Sequence, residues 1–397
     1  MPAEVTAEYR SSIPSSPSDP AESAESPPRT EPGAHHGFVR RHAAKLIASA
    51  VITASVIFTL EKGGLKLWPD SGNFAHVRWW TLGAYFLTLI VTTYFRAMRW
   101  RFLLRSIAEV PRKRVLAVSW IGFAAILIMP FRLGEFVRPF MIREKGKISM
   151  PAATGTVVAE RVVDGLYLSI VLALALVFVP HLEPLPTTVV GLPVSVEAVR
   201  KSGFVMLGVF TTAFIVIGVY YFARDWARRI TLAVFGLVSK KLGEKLAGIA
   251  EHLAGGLHAF GRGPDALGFL WETTLYWFSN MAGMWLLAWG CGIVHGDGSP
   301  ITFGETCALM GMLGVTILIP GPPGLLGVFQ AGIYAGMTMY FPTSVVVEEG
   351  AAFVFLLYMI QLVWTVAAAL IFLVGQPGTL KGLGSAEETG TEQAPAS

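Results

Sequence analysis

The stretch Ile319-Pro320-Gly321-Pro322-Pro323-Gly324 interrupts a region, residues 263–380, that contains no Lys or Arg and is rich in apolar residues and Gly. Basic residues of membrane proteins concentrate in short cytoplasmic loops, so their absence predicts that the loops within this region face outward. We therefore predict that the Pro-rich break lies inside a bilayer.

The whole chain has the composition of a polytopic membrane protein. Of its 397 residues, 53% are hydrophobic and 15% are charged, and the mean hydropathy is +0.56. These values exclude two or three soluble domains and predict an all-α membrane protein. The net charge of +4 comes from basic blocks between apolar runs, which indicates topology and contact with anionic head groups, and no nucleic-acid partner.

Cysteine and histidine positions give no sign of a bound metal. Cys291 and Cys307 lack paired spacing to each other or to a His, so they form neither a disulfide framework nor a metal site. No cofactor is expected.

Apolar runs long enough to cross about 30 Å of hydrocarbon predict six full spans. These runs lie near residues 43–60, 79–95, 152–180, 202–222, 269–294 and 351–374. Flanking Lys and Arg place both termini in the cytoplasm. The polar leader 1–37 is predicted to be a disordered cytoplasmic tail, 38–376 the membrane domain and 377–397 a second cytoplasmic tail.

Two further apolar segments are each broken by proline and do not fit as simple crossings. Residues 115–142, broken at Met129-Pro130, have basic residues at both ends, and residues 301–341, broken at Pro320–Gly324, have none at either end. We predict two re-entrant helical hairpins that enter from opposite faces and point at each other. The alternative is a set of ordinary spans followed by amphipathic pieces, with about eight crossings.

The order of these segments predicts an inverted-topology repeat. Repeat one covers about residues 43–180 and repeat two about 202–374, and such repeats place broken helices around a substrate site near the midplane. Segment 224–262 carries an apolar stripe, which predicts a helix on the membrane surface or, alternatively, one packed on a neighbour. The stripe contains Leu242, Leu246, Ile249, Leu253, Leu257 and Phe260.

Six ionisable residues fall at membrane depth and are the candidate site. Glu160, Arg161 and Asp164 share a helix, and Arg132, Glu135 and Arg138 are spaced by threes, as on one helical stripe. Ionised groups in hydrocarbon cost about 2.5 kcal/mol or more each unless they are paired or face a wet cavity. Their mutual pairing predicts a neutral polar cleft open to the cytoplasmic leaflet.

The role of this cleft stays open at the level of sequence. Arg132 and Arg138 suit bidentate contact with a phosphate head group. The same residues also suit a lock between the hairpin and the next helix, or anchoring at the membrane surface. Pro320, Pro323, Gly324 and Gly327 fix the second break, and ligand contact is an additional alternative for them.

Three motifs in order resemble the lysylphosphatidylglycerol synthase transmembrane family, whose members are also described as flippase-like domain proteins. They are Met129–Arg138 (MPFRLGEFVR), Val158–Asp164 (VAERVVD) and Ile319–Phe329 (IPGPPGLLGVF), and Arg99-Trp100 also looks like the family's. The resemblance covers about residues 40–375. It implies handling of phospholipid or polyprenyl-linked lipids in the bacterial inner membrane.

The resemblance has two limits. No soluble aminoacyl-transferase domain follows residue 375, so lysyl-lipid synthesis is not expected from this chain. Gln330 stands where the family commonly has Glu, which predicts that a coupling step is missing or is carried by Glu305.

The function expected from these features is binding and translocation of an anionic phospholipid or polyprenyl-linked lipid between leaflets. The alternatives are a membrane enzyme acting on such lipids and a non-transporting accessory subunit. The sequence has no metal-type acidic pair near a loop and no activated nucleophile, which favours a non-enzyme. The partners are the membrane and its lipid, and a homodimer is one of the open oligomeric states.

Overall fold

The computed structural model describes residues 54, 58, 67–144, 146–189, 194–236, 239–256, 263–318 and 323–375. These residues all belong to one compact unit, Ala44–Ser397. Both predicted tails and, apart from two residues, the predicted first span lie outside the described part.

The described chain is helical, with isolated bridges but no strand within those ranges. Short 3-10 turns occur at Ser71–Phe74, Pro130–Phe136 and Pro323–Leu325. The α-helices are α1 (Trp80–Met98), α2 (Trp100–Leu104), α3 (Arg112–Ile128), α4 (Val137–Ile142), α5 (Met150–Phe178), α6 (Val196–Phe222), α7 (Arg224–Gly236), α8 (Lys240–Gly256), α9 (Gly263–Gly290), α10 (Phe303–Thr316), α11 (Val328–Met337), α12 (Thr343–Val347) and α13 (Glu349–Gly375).

The five predicted spans that fall in the described part all form long helices: α1, α5, α6, α9 and α13. Three stretches of helix are long and apolar enough to cross a membrane by length and composition, namely Met150–Phe178, Val196–Phe222 and Thr343–Phe372. The chain is therefore a membrane-embedded helical protein. The count of six full crossings stays a prediction.

Helices α1 and α9 pack closely along their length through small and polar residues. A Cβ on Gly283 would overlap Thr88, and one on Gly290 would overlap Thr81. Thr92 and Ser279 share a hydrogen bond of 2.9 Å between their hydroxyl groups. Small residues allow this approach and hydrogen bonds hold it, as is typical of helices packed within a membrane.

The first broken segment folds back on itself. After α3, the turn Pro130–Phe136 returns so closely that a Cβ on Gly134 would overlap the backbone of Ala125, and one on Gly122 would overlap the Arg138 side chain. Arg114 and Glu144, near the two ends of the segment, form an ion pair of 3.0 Å. Both ends therefore lie on the same side of the protein.

The second broken segment has the same design. Helix α11 packs back along α10, where a Cβ on Gly332 would overlap the Thr316 hydroxyl. The ring of His295, before α10, lies 4.8 Å from the ring of Phe341, after α11. Its ends are thus close together as well.

The two breaks meet. Helix α3 and the turn Pro130–Phe136 both contact Pro323–Leu325, and the Arg132 guanidinium donates a 2.6 Å hydrogen bond to the carbonyl oxygen of Ile317. This is the arrangement predicted for two hairpins that point at each other. Their re-entry within a bilayer stays a prediction.

Packing between the two halves is reciprocal. Helix α3 of the first half packs on α13, the last helix of the second, while α10 of the second half packs on α5, the last long helix of the first. A chain built from two inverted copies produces this exchange of partners. The inverted repeat itself stays a prediction.

Segment 224–262 contains two helices and not one. Helix α8 packs against α5, α6 and α7, and Glu251 accepts hydrogen bonds of 3.0 Å from Arg224 and Arg228. Helix α8 thus packs on its neighbours, whereas α7 exposes Trp226 and Val234. Their place on the membrane surface stays a prediction. Leu257 and Phe260 lie outside the described residues, as do the side chains of Leu242, Ile249 and Leu253.

We expect Gly134→Ala to destabilise the protein because its methyl group would meet backbone that cannot move aside independently. Overpacking of this kind costs about 1–3 kcal/mol. The matched control is Gly83→Ala on α1, where a Cβ meets nothing within 4 Å and helix propensity favours Ala. Thermal unfolding of the purified protein should show a lower melting temperature for the first variant alone, and equal melting temperatures would contradict the packing of this hairpin.

Candidate functional site

A buried ionic knot, formed by Arg99, Arg138, Glu160, Arg161 and Asp164, joins α1, α4, α5 and α9. Arg99, at the junction of α1 and α2, is fully buried and donates two hydrogen bonds to Asp164, of 2.5 and 2.7 Å. The same guanidinium reaches Glu160 at 3.1 Å and Thr273 at 3.3 Å. Arg99 therefore ties α1 to both α5 and α9.

Two more arginines complete the knot. Arg138 of α4 binds both carboxylate oxygens of Glu160, at 3.0 and 3.2 Å. Arg161 hydrogen-bonds Glu160 and lies 3.4 Å from Asp164. The predicted pairing of Arg161 with Asp164 and of the first hairpin with α5 is thus present in the structure.

Two tryptophan side chains, Trp100 and Trp277, contact residues of the knot. The indole N–H of Trp277 donates to Asp164 at 3.1 Å, and that of Trp100 donates to Thr156 at 3.0 Å. The Arg138 guanidinium lies 4.2 Å from the Trp100 ring centroid, as in a cation–π contact. Planar guanidinium groups suit this combination of bidentate pairing and ring stacking.

The knot lies at mid-depth of a helix with the length and composition of a membrane span. Asp164 is the middle residue of the 29 in α5, about 21 Å from its start at 1.5 Å per residue. Glu160 lies one turn nearer to that start. Both carboxylates are therefore held away from either end of the helix.

Arg132 and Arg138 do not share one regular helical stripe, contrary to the expectation from their spacing. Arg132 adopts a left-handed backbone, with φ of +59°, inside the 3-10 turn Pro130–Phe136. Its guanidinium pairs with Glu135, at 2.5 and 2.8 Å, and turns toward Ile317. Because of this left-handed backbone, the Arg132 side chain points away from that of Arg138, which bonds Glu160 in the knot.

Two cavities lie beside the knot and share a wall that contains Arg132, Arg161 and Trp277. The first, of about 270 Å³, lies between α5, α6, α10 and the first break and is lined also by Glu135 and Asp164. The second, of about 180 Å³, extends toward α1 and α13 and is lined also by Arg96 and Gly324. We call the two cavities together the chamber.

The structure divides the predicted site residues into two groups. Arg132, Glu135, Arg161, Asp164 and Gly324 line the chamber, whereas Arg138 and Glu160 are buried behind it. Arg138 and Glu160 therefore fit the expectation of a lock alone. Arg161 and Asp164 belong to the knot and also line the chamber.

The remaining predicted residues belong to the second break. Gly327, with φ of +85°, precedes α11, and its N–H donates to the Gln330 side chain at 2.7 Å. Pro323 begins the turn Pro323–Leu325 and is exposed, while Pro320 lies outside the described residues. Neither Pro323 nor Gly327 lines the chamber.

Gln330 and Glu305 have structural roles at helix ends. Gln330 accepts the Gly327 N–H at the start of α11. Glu305 accepts the Thr302 N–H at 2.7 Å and pairs with His295 at 2.6 Å. Glu305 lies near the start of α10, at the opposite end from the break, so this position does not support the suggestion that it replaces a carboxylate at residue 330.

Sequence reasoning missed Arg96 and Arg99 as members of the site. Both belong to the basic block that follows the second span, which the positive-inside bias explains without a site. Their spacing of three residues places them near one face of a helix, which was the available signal. Only the family resemblance singles out the Arg99-Trp100 pair.

Comparison with known proteins gives one match. A family model described as the lysylphosphatidylglycerol synthase TM region matches residues 46–369. No curated protein and no solved structure matches the chain significantly. The matched range contains the knot, both breaks and the chamber.

We expect Arg99→Met to destabilise the fold by about 3–5 kcal/mol, because the buried Asp164 carboxylate loses both hydrogen bonds from its bidentate partner. The matched control is Arg105→Met. Arg105 pairs with Asp265 at 2.7 Å, but its side chain is 42% exposed, so its loss should cost below about 1 kcal/mol. Denaturant unfolding of the two variants in the same detergent measures the difference, and equal stability would show that the knot is not a principal support of the fold.

Proposed function

The chain belongs to the lysylphosphatidylglycerol synthase transmembrane family, and we propose that it binds the head group of an anionic lipid in the chamber and passes it between leaflets. The family's name ties these membrane domains to lipid handling. The observation that carries the proposal is a chamber at mid-depth whose wall contains two arginines with incompletely buried side chains, Arg132 and Arg161.

The chemistry of that wall suits a phosphate group. The side chains of Arg132 and Arg161 are 20% and 24% exposed, so both reach the cavities while they stay paired with carboxylates. Guanidinium groups bind phosphate oxygens through parallel N–H donors. The chamber therefore offers an entering head group positive charge and hydrogen-bond donors, which the hydrocarbon lacks.

The surroundings of the chamber suit lipid tails. Apolar side chains at the breaks are exposed, with Ile128 at 67%, Phe136 at 53% and Leu318 at 43%. Met206 and Phe210 of α6 line the first cavity. In this proposal the tails stay in the bilayer beside these residues while the head group alone crosses the protein.

Passage requires the two breaks to separate. Arg132 now donates to the Ile317 carbonyl across them, and that contact closes one path between the hairpins. Both breaks also hold a residue other than Gly in the left-handed region, Arg132 and Leu325, each at a cost of about 1–3 kcal/mol. We propose that exchange of the Ile317 carbonyl for a phosphate oxygen on Arg132 opens the breaks to one leaflet at a time.

The protein is proposed to act in the bacterial inner membrane with both termini in the cytoplasm. The basic residues that follow α1 and those at the start of α3 support this orientation through the positive-inside bias.

The test is transbilayer movement of fluorescent lipids in vesicles that contain the purified full chain. We expect Arg161→Gln and Arg132→Gln to slow movement of an anionic lipid by about tenfold or more, because each removes a charged hydrogen bond to the head group. The control is Arg114→Gln, whose partner Glu144 lies at the ends of the first hairpin and outside the chamber. All three variants should keep the elution profile of the folded protein.

Other outcomes would assign the protein to the alternative classes. Chemical turnover of the head group without movement would indicate an enzyme. Neither movement nor turnover, with folded protein in the vesicles, would indicate an accessory subunit. Unchanged movement in both chamber variants would remove Arg132 and Arg161 from the site.

A further inference from the structure

The knot and chamber together hold more positive than negative charge. Their arginines and acidic residues are Arg96, Arg99, Arg132, Arg138 and Arg161 with Glu135, Glu160 and Asp164. Two positive charges are therefore uncompensated. The adjacent pairs Arg101–Glu272 and Arg105–Asp265 are neutral and leave this excess unchanged.

Arg96 is the clearest source of that excess. Within the described part of the chain it forms no ion pair and no hydrogen bond, and its Nε is buried without a partner. Its guanidinium lies 4.1 Å from the Phe123 ring centroid. The residue lines the second cavity together with Arg132 and Arg161.

Uncompensated charge in such a place favours a ligand of opposite charge. Removing an ion from water is costly, and an incoming anion offsets that cost only if it matches the charge and satisfies the donors. A phosphate diester carries one negative charge. A phosphate monoester carries about 1.5 to 2 negative charges at pH 7, because its second pKa is about 6. It also offers three terminal oxygens.

Resting on the proposed function, we propose that the chamber selects lipids whose head group is a phosphate monoester, with Arg96 as one of its ligands. Phosphatidate and a polyprenyl monophosphate share this chemistry. Three guanidinium groups, of Arg96, Arg132 and Arg161, border the second cavity and match the three terminal oxygens. A head group with net positive charge, such as a lysyl ester of phosphatidylglycerol, is disfavoured by the same excess.

The experiment measures binding to the full chain in phosphatidylcholine nanodiscs. The probes are fluorescent phosphatidate, a fluorescent polyprenyl monophosphate and, as the diester, phosphatidylglycerol with the same acyl chains and label as the phosphatidate. We expect one or both monoesters to bind about tenfold or more tightly than the diester, as the gain of one charged hydrogen bond implies. Comparison of the two monoesters shows whether the preferred lipid is a phosphatidate or a polyprenyl monophosphate.

A change of pH separates charge from other differences between the lipids. From about pH 7.5 to about pH 5 the monoester loses its second charge, and the diester does not change. No histidine lines the chamber in the part of the chain that the structure describes. We therefore expect the preference for the monoester to shrink over this range, whereas a constant preference would contradict selection by charge.

Variants of Arg96 complete the test. Arg96→Gln should remove most of the monoester preference while diester binding persists, and Arg96→Lys should keep part of it. The matched control is Arg78→Gln: Arg78, just before α1, also stacks on a ring, 3.9 Å from the Trp289 centroid, but lies outside the chamber. If Arg96→Gln does not fold, the lipid panel and the pH series with the unmodified chain still decide the question.

The outcomes separate this inference from the proposed function. Equal binding of monoester and diester, or an unchanged preference in folded Arg96→Gln, overturns the inference and leaves anionic-lipid binding intact. Absence of binding to every anionic lipid in the panel overturns both.

Discussion

The ion pair between Arg99 and Asp164 is the contact on which the rest of the structure depends. It is bidentate and buried. Arg99 also bonds Glu160 and Thr273, and Asp164 also accepts a hydrogen bond from Trp277. Ionised groups at this depth cannot stay unpaired without a large cost, so helices α1, α5 and α9 have one register that satisfies all of them. The first hairpin joins this cluster through Arg138, which pairs with Glu160 and with no other carboxylate in the described part of the chain.

Glycine residues let the two arms of each hairpin pack closely against each other. Gly122 and Gly134 admit the return of the first segment, and Gly332 and Gly336 admit that of the second. Each break contains a left-handed residue other than Gly, Arg132 or Leu325, within the turn between its helices. Since each hairpin packs on the last long helix of the other half, the breaks are brought together beside the knot and enclose the chamber.

Structural support and ligand contact are divided among neighbouring residues. Arg99, Arg138 and Glu160 are buried and hold the helices, whereas Arg132 and Arg96 line the cavities. Arg161 does both. A rigid buried knot can then keep the chamber charged while the residues that line it exchange partners. This division explains why the same ionic cluster serves both as a lock and, in the function we propose, as an anion site.

The sequence by itself determined the membrane class, the helices α1, α5, α6, α9 and α13, the two broken segments and the six ionisable residues, because hydropathy, proline and charge are local signals. Tertiary structure alone decided which charges meet. Arg99 lies 61 residues before Glu160 and 174 before Thr273, a partnership that no local spacing encodes. It also decided that the left-handed Arg132 turns away from Arg138 and that Arg96 lines a cavity, since both depend on how helices distant in the chain pack together.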